Sequence, residues 1–452
     1  MKGALLADGR RLTVYPADVS GRWARARNLG FVALIAIYVA LPFLQIGGHP
    51  AVFLDIPERR FYLFGGVFSA RDIPMTFIFA LGTVFLLLVV TALFGRIWCG
   101  WACPQTVFLD GVYRRVERWI QGSREKRMRR DAAPMSWGKL WRKALTHAIW
   151  IGLSLVLAHV FLSYFVTMPA LGEYVRRSPA EHPAAFAMVM AASAALYGNF
   201  AWFREQLCLV VCPYGRLQGV LVDDDTLVVG YDEKRGEPRG KKTAAGAGDC
   251  VDCKRCVVVC PTAIDIRDGY QLDCIGCTAC IDACDEIMTK LDRPTGLIRY
   301  DSLRGLRGDG QRRFWRPRIW AYTAFLAVGA TVATVVIATR RSFEAHILRP
   351  PGIPFTMRDG RVYDPFDVHI INKKDQPATF RVTVDAPGAD VALPEGDVTL
   401  GPMEERHIPV TVSAPDARDR GNFNVGVRVS TGAEHSDLEA RFLGPSQHGG
   451  HP

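Results

Sequence analysis

Five stretches of the chain contain no Asp, Glu, Lys or Arg: residues 29–47, 73–95, 146–168, 184–203 and 319–339. A helix that crosses a bilayer needs roughly 20 mostly apolar residues, so these stretches predict five membrane-spanning helices. The first follows a long charged lead, Lys2 to Arg27, and lacks a small-residue cleavage site. It therefore reads as a retained helix and not as a secretory signal. Between the second and third spans, Val112 to Ile120 reads as amphipathic, either lying along the membrane surface or forming part of a solvated basic loop. Beyond the fifth span the period changes. Thr379-Phe380-Arg381-Val382-Thr383-Val384 and Asn424-Val425-Gly426-Val427-Arg428-Val429 alternate or run β-branched, with Pro and Gly at short intervals. That pattern predicts a small β-sandwich.

Charge orders these spans. Residues 1–28 hold six Lys or Arg against two acids, the 96–145 segment holds twelve against four, and Arg312, Arg313, Arg316 and Arg318 precede the last span. The 48–72 and 169–183 segments are balanced, three against three and two against two. Short basic segments stay in the cytoplasm. The N-terminus, the 96–145 loop and the 204–318 segment are thus expected inside, and everything after Arg341 outside. The organisation that follows is a cytoplasmic segment 1–28, a four-helix membrane region 29–203 with its basic loop 96–145, a soluble insert 204–317, a fifth helix 318–340, and an outer domain and tail 341–452. The net charge of +10 reflects this placement and does not point to nucleic acid.

All twelve cysteines lie in the inner segments or at the inner ends of spans. Thiols in a reducing compartment favour metal ligation over disulfides. Cys250-x2-Cys253-x2-Cys256-x3-Cys260-Pro261 recurs as Cys274-x2-Cys277-x2-Cys280-x3-Cys284. In such doubled runs three thiolates from one run and the last cysteine of the other hold each cubane. Cys250, Cys253, Cys256 and Cys284 are expected on one 4Fe-4S cluster, and Cys274, Cys277, Cys280 and Cys260 on a second. Zinc also binds Cys-x2-Cys pairs, but eight cysteines in a doubled run with Pro261 favour clusters. Asp285 stands where the second run would repeat the proline, which is not a ligand.

A second doubled motif is Cys99-x3-Cys103-Pro104 and Cys208-x3-Cys212-Pro213. The i,i+4 spacing places two sulfurs on one helix face, and the proline biases the second cysteine out of α geometry. Soft thiolate pairs suit Cu(I) or a redox dithiol. Four buried small hydrophobes or a third cluster are the alternatives. His147 and His159 lack a facing partner for a haem, and Met188 and Met190 read as packing. Asp223-Asp224-Asp225 reads as a solvated acidic turn more than a cation site, and His448 and His451 sit in a tail.

The expected fold class is multi-domain: a polytopic α-helical membrane protein of five transmembrane helices, with an inserted bacterial 2×(4Fe-4S) ferredoxin-like domain and a C-terminal immunoglobulin-like β-sandwich. The chain closely resembles the FixG/RdxA/CcoG family of cytochrome c oxidase accessory proteins. The likeness runs through Leu54-Asp55-Ile56-Pro57-Glu58-Arg59-Arg60-Phe61-Tyr62, through Gly95-Arg96-Ile97-Trp98-Cys99-Gly100-Trp101-Ala102-Cys103-Pro104-Gln105-Thr106, and through Arg204-Glu205-Gln206-Leu207-Cys208 with Cys212-Pro213-Tyr214-Gly215-Arg216. Tyr231-Asp232, Arg235 to Arg239, Gly248 to Cys253 and Pro294 to Tyr300 continue it. Ala263 and Trp101 depart from the family pattern, and the outer domain matches least.

The resemblance implies a multi-pass protein of the bacterial inner membrane, with its ferredoxin domain cytoplasmic and its C-terminal domain periplasmic. It implies reduction of cupric to cuprous ion for assembly of cbb(3)-type oxidase, with copper presented by Cys99, Cys103, Cys208 and Cys212. Membrane lipid, a copper chaperone or transporter, and oxidase assembly components are the implied partners; the electron donor and any homodimerisation are left open. A quinol-linked electron-transfer subunit and a non-enzymatic assembly scaffold are the competing readings. There is no Rossmann glycine fingerprint for a nicotinamide or flavin domain.

Overall fold

The helix α1 (Arg22–Ala40) begins inside the charged lead and stops before Pro42, so the first span lies earlier than its charge-free stretch of 29–47. Its start is fixed from far away: the Asp282 carboxylate accepts from the amides of Trp23 (3.3 Å) and Ala24 (2.7 Å). A side-chain oxygen on these first-turn donors is a cap supplied in tertiary structure. Gly21 makes room for it, because a Cβ there would stand 2.2 Å from Asp282 Cγ. The computed structural model describes residues 13–69, 72–241, 246–352, 354–374, 376–394, 396–415 and 423–444. His448, His451 and the segment before residue 13 lie outside them.

The chain divides into two compact units, Met1–Ala333 and Thr334–Pro452. In the first, strands β1 (Gln45–Ile46) and β2 (His49–Pro50) pair, and β3 (Val52–Asp55), β4 (Arg60–Leu63) and β5 (Gly66–Ser69) form an antiparallel meander. Then come α2 (Ile73–Phe94), α3 (Ile97–Trp101), α4 (Pro104–Phe108), α5 (Arg114–Gln121) and α6 (Arg124–Ala132). Helices α7 (Trp137–Leu162), α8 (Met168–Arg176) and α9 (Pro183–Tyr197) follow, and α9 continues in π geometry to Phe203. Helix α7 starts at Trp137 rather than 146 because Ser136 caps it, accepting from the Lys139 amide; its first turns carry Lys139, Arg142 and Lys143 and need no lipid.

The insert contains α10 (Pro213–Leu221), β6 (Leu227–Tyr231), α11 (Glu233–Gly236), α12 (Arg255–Val258), α13 (Ala279–Lys290), β7 (Ile298–Ser302) and α14 (Leu303–Arg307). Strands β6 and β7 pair antiparallel, Leu227 opposite Ser302 and Tyr231 opposite Ile298, and so close the insert around its cysteines. Helix α15 (Pro317–Ala338) is the fifth long helix. Among the described residues five helices are long and apolar enough to cross a membrane. Apolar side chains face outward on them, Leu29 at 72% and Phe325 at 61% exposure, as expected of helices covered by lipid.

Two polar segments differ from a solvated loop. Val112 to Ile120 turns through π geometry into the helix α5, which buries Arg114, Val116, Glu117 and Gln121 and leaves Trp119 exposed. In the Asp223–Asp225 turn only Asp224 is exposed, and all three carboxylates are ion-paired. Asp223 pairs with Arg316 and Arg318, Asp224 with Arg307, and Asp225 with Arg304 at 2.9 Å. These bridges tie the approach to α15 to the end of α2, where Arg312 and Arg316 donate to the carbonyls of Leu93 and Ala92.

The second unit is a β-sandwich. One sheet has the order β12 (Asp390–Ala392), β14 (Glu405–Pro415), β10 (Arg361–Asn372), β8 (Phe343–Leu348), with β9 (Thr356–Arg358) also paired to β10. The other has the order β13 (Asp397–Leu400), β11 (Ala378–Asp385), β15 (Asn424–Thr431), β16 (Glu434–Arg441). Burial alternates along β10 as far as Ile370, so Val362, Phe366, Val368 and Ile370 enter the core with Phe380, Val382, Val410, Val427 and Val429. Phe380 is fully buried. Phe380→Ala is expected to cost about 3–5 kcal/mol, read in the full chain as an earlier unfolding transition of the β-domain with cluster absorbance unchanged.

Candidate metal centres

The two cysteine runs share a local conformation that their spacing only partly announces. The residue after the second cysteine, Lys254 in one and Thr278 in the other, has left-handed backbone at φ 55° and 64°. Each is the cap from which a helix starts, α12 carrying Cys256 and α13 carrying Cys280 and Cys284. A non-glycine residue there is uncommon, and its recurrence aims successive thiols inward from one tight turn.

Two cavities result. Cys250, Cys253, Cys256 and Cys284 line the first, about 340 Å³, with Tyr231, Met288, Leu297 and Ile298 as walls. Cys260, Cys274, Cys277 and Cys280 line the second, about 350 Å³, among Val229, Ile264, Ile266 and Ile275. Cys256 borders both, so the cavities adjoin. All twelve cysteines are free thiols. Burial raises the Cys256, Cys274 and Cys284 thiols to about 12 and Cys277 to about 11. Apolar cradles ringed by four thiols apiece fit 4Fe-4S clusters in their donor chemistry. Arg267 borders the first cavity and is held by Asp265 (2.6 Å) and Asp252 (2.5 Å).

The other four thiols sit where spans end. Helix α2 breaks at Gly95 (φ 57°), and the fourth span breaks at Arg204 (φ 51°), each four residues before a first cysteine. Cys103 and Cys212 both leave helical geometry, at ψ 127° and 111°, and both cap the helix that their proline opens. The motifs therefore follow the spans as separate turns instead of ending them. The four thiols are mutual neighbours: Cys208 feels Cys103, Cys99 and Cys212, and burial with these neighbours raises it to about 12. Burial likewise raises Cys99 and Cys103, opposed at Cys99 by Arg96 and at Cys103 by the amides of Gln105 and Thr106.

Nothing in the cysteine spacing marks Arg96 or Gln218, yet they organise this site. Arg96 is 7% exposed. Its Nε donates to Gln218 Oε1 at 2.8 Å, and its Nη1 donates to the carbonyl of Leu272, just before Cys274. Cys99 Sγ donates to the same Gln218 oxygen at 3.3 Å. Cys99 also packs in one apolar group with Ile275 and Cys277. Gly100 permits that approach, because a Cβ there would stand 2.7 Å from the Ile275 carbonyl and 2.9 Å from the Cys277 amide nitrogen. The remaining candidates are elsewhere. His147 Nδ1 bonds Tyr197 Oη (2.9 Å), His159 Nδ1 bonds the Leu155 carbonyl (2.8 Å), and Met188 and Met190 are exposed on α9. Gly100→Ala is expected to displace the Cys274–Cys277 loop, so that purified protein loses iron from the second cavity while the first keeps its own, measured by iron content and electron paramagnetic resonance.

Residues 203–303 match the family described as 4Fe-4S dicluster domain, residues 76–127 the 4Fe-4S binding domain, and residues 333–445 the immunoglobulin-like fold at the C-terminus of FixG. The chain is 34% identical over 393 residues to protein RdxA of Cereibacter sphaeroides, covering 83% of this chain and 82% of that one. It is 33% identical over 457 residues to the nitrogen fixation protein FixG of Rhizobium meliloti, covering 89% and 86%. Protein RdxB of Cereibacter sphaeroides is 34% identical over 409 residues, covering 85% and 84%. With its five apolar helices, its two cysteine-ringed cavities and likeness over most of its length, the chain belongs to the FixG/RdxA family of membrane-bound iron–sulfur electron-transfer proteins.

Proposed function

We propose that this chain reduces cupric to cuprous ion on the cytoplasmic side of the bacterial inner membrane, for assembly of cbb(3)-type cytochrome c oxidase. The observation that carries the reading is the packing of Cys99 against Ile275 and Cys277, which puts a boundary thiol beside the second cavity. Cys250, Cys253, Cys256 and Cys284 would hold one cluster, and Cys274, Cys277, Cys280 and Cys260 the other. When bound, the clusters store and deliver single electrons, and each cupric ion needs one. The part of Cys99, Cys103, Cys208 and Cys212 is to bind the copper substrate and to favour its reduced state, since soft thiolates prefer Cu(I). Raised thiols must first lose their protons to the solvent for a metal to bind. Arg96 at Cys99 and the amides at Cys103 ease that loss.

A second reading has a specific observation behind it. The 76–127 match to a 4Fe-4S binding family spans Cys99 and Cys103. It favours iron at the boundary thiols and a general electron-transfer role, with copper incidental.

One variant separates them. Changing Cys99, Cys103, Cys208 and Cys212 to Ser should leave the iron content unchanged and abolish cuprous product when pre-reduced protein meets cupric ion under anaerobic conditions. Loss of iron from that variant would favour the second reading. Because protons compete with copper for the raised thiols, affinity should fall as pH falls. A change of about tenfold per pH unit for each proton displaced is expected between about pH 6 and 8, measured by competition with a cuprous chelator.

A further inference from the structure

A cavity separate from both cysteine cavities lies at the same end of the spans. It encloses about 700 Å³, part of it open to solvent, and its lining includes Arg27, Arg114, Arg118 and Arg127 against a single carboxylate, Asp110. Its walls come from α1, α5 and α6 and from Val259, Pro261 and Ala279 of the cysteine-bearing insert. It therefore sits where α1 enters the apolar zone and where residues just after the second and before the third span meet the insert.

The arginines are only partly satisfied. Asp110 accepts from Arg27 Nη2 at 2.6 Å and from Arg114 Nη1 at 2.7 Å, and these cations hold its carboxyl down to about 2 against its burial. Arg114 Nη2 reaches Glu205 at 2.9 Å, and Arg127 reaches Glu117 at 3.6 Å and the Pro16 carbonyl at 3.1 Å. Arg118 pairs with the exposed Asp18. Arg114 and Arg127 are 5% and 2% exposed, yet the Nε of each is buried without a hydrogen-bond partner. Buried donors of this kind cost free energy unless a partner is supplied. Four guanidinium groups around one hollow form the donor array that recognises phosphate oxygens.

We propose that this cavity binds a phosphate group, carried either by the headgroup of an acidic phospholipid or by free inorganic phosphate. The site lies beside the start of the first span, at Arg27 and Phe31 of α1, next to Pro261 and Ala279, the chain neighbours of Cys260 and Cys280. Bound phosphate adds negative charge beside the second cavity.

The test uses the full, cluster-loaded chain. Protein reconstituted in nanodiscs of phosphatidylglycerol or of phosphatidylcholine is analysed by native mass spectrometry for retained lipid, and delipidated protein in detergent is titrated with inorganic phosphate by calorimetry. Two variants accompany it. Arg118→Gln removes a half-exposed arginine whose one ion-pair partner is exposed, and Ala24→Phe fills the hollow from α1 while leaving every arginine in the chain. Preferential retention of phosphatidylglycerol, weakened about tenfold by both variants, assigns the headgroup. Phosphate binding weakened by both variants, with no preference between the lipids, assigns the free anion. Absence of both, or binding that survives either variant with its cluster absorbance intact, overturns the site.

Discussion

The guanidinium of Arg96 is the contact on which the rest of this architecture turns. From one buried position it reaches Gln218 on the helix after the second boundary motif and the carbonyl of Leu272 before the second cysteine run. It also faces Gly215, where a Cβ would stand 2.8 Å from Nη2. Two segments far apart in sequence, α10 and the loop before Cys274, are thereby held to the first boundary motif. A planar fork of five donors can serve several acceptors at once, which a lysine could not reproduce. Gly95 completes the arrangement: its left-handed turn frees α3 from the span, and a Cβ there would stand 2.6 Å from the Leu227 carbonyl.

Around this hub the neighbouring ends of the spans are joined by buried charge. Glu117 accepts from Arg204 at 2.8 Å, Arg114 joins Asp110 to Glu205, and Asp223 takes Arg316. Taking such pairs out of water is expensive, and removing one partner leaves the other uncompensated at a cost of about 3–5 kcal/mol. Pairs of this kind specify which helix end meets which. They do the work of orientation that apolar faces cannot do among lipid-covered helices.

The five spans were legible because lipid demands long apolar runs, and the cluster cysteines were legible because ligation fixes both residue type and spacing. Most other features depend on tertiary partners. The start of α1 at Arg22 depends on Asp282, and the burial of α5 depends on Arg204 and Glu205 meeting its polar side. An amphipathic stripe signals two faces and not which one is covered. The Asp223–Asp225 turn looked solvated because its arginine partners lie in the approach to the fifth helix. Lys254 and Thr278 hold left-handed turns without the glycine that would have announced them. Gly100 reads as an ordinary small residue until the Ile275 carbonyl is placed above it.

The cap on α1 sets an order of events in synthesis. Ala24 leaves the ribosome 258 residues before Asp282, the carboxylate that its amide needs. Until then the opening turn of the first helix has only water for its free donors. The opening turn of α1 is thus translated well before its cap, and the lock closes only when the second cysteine run has folded.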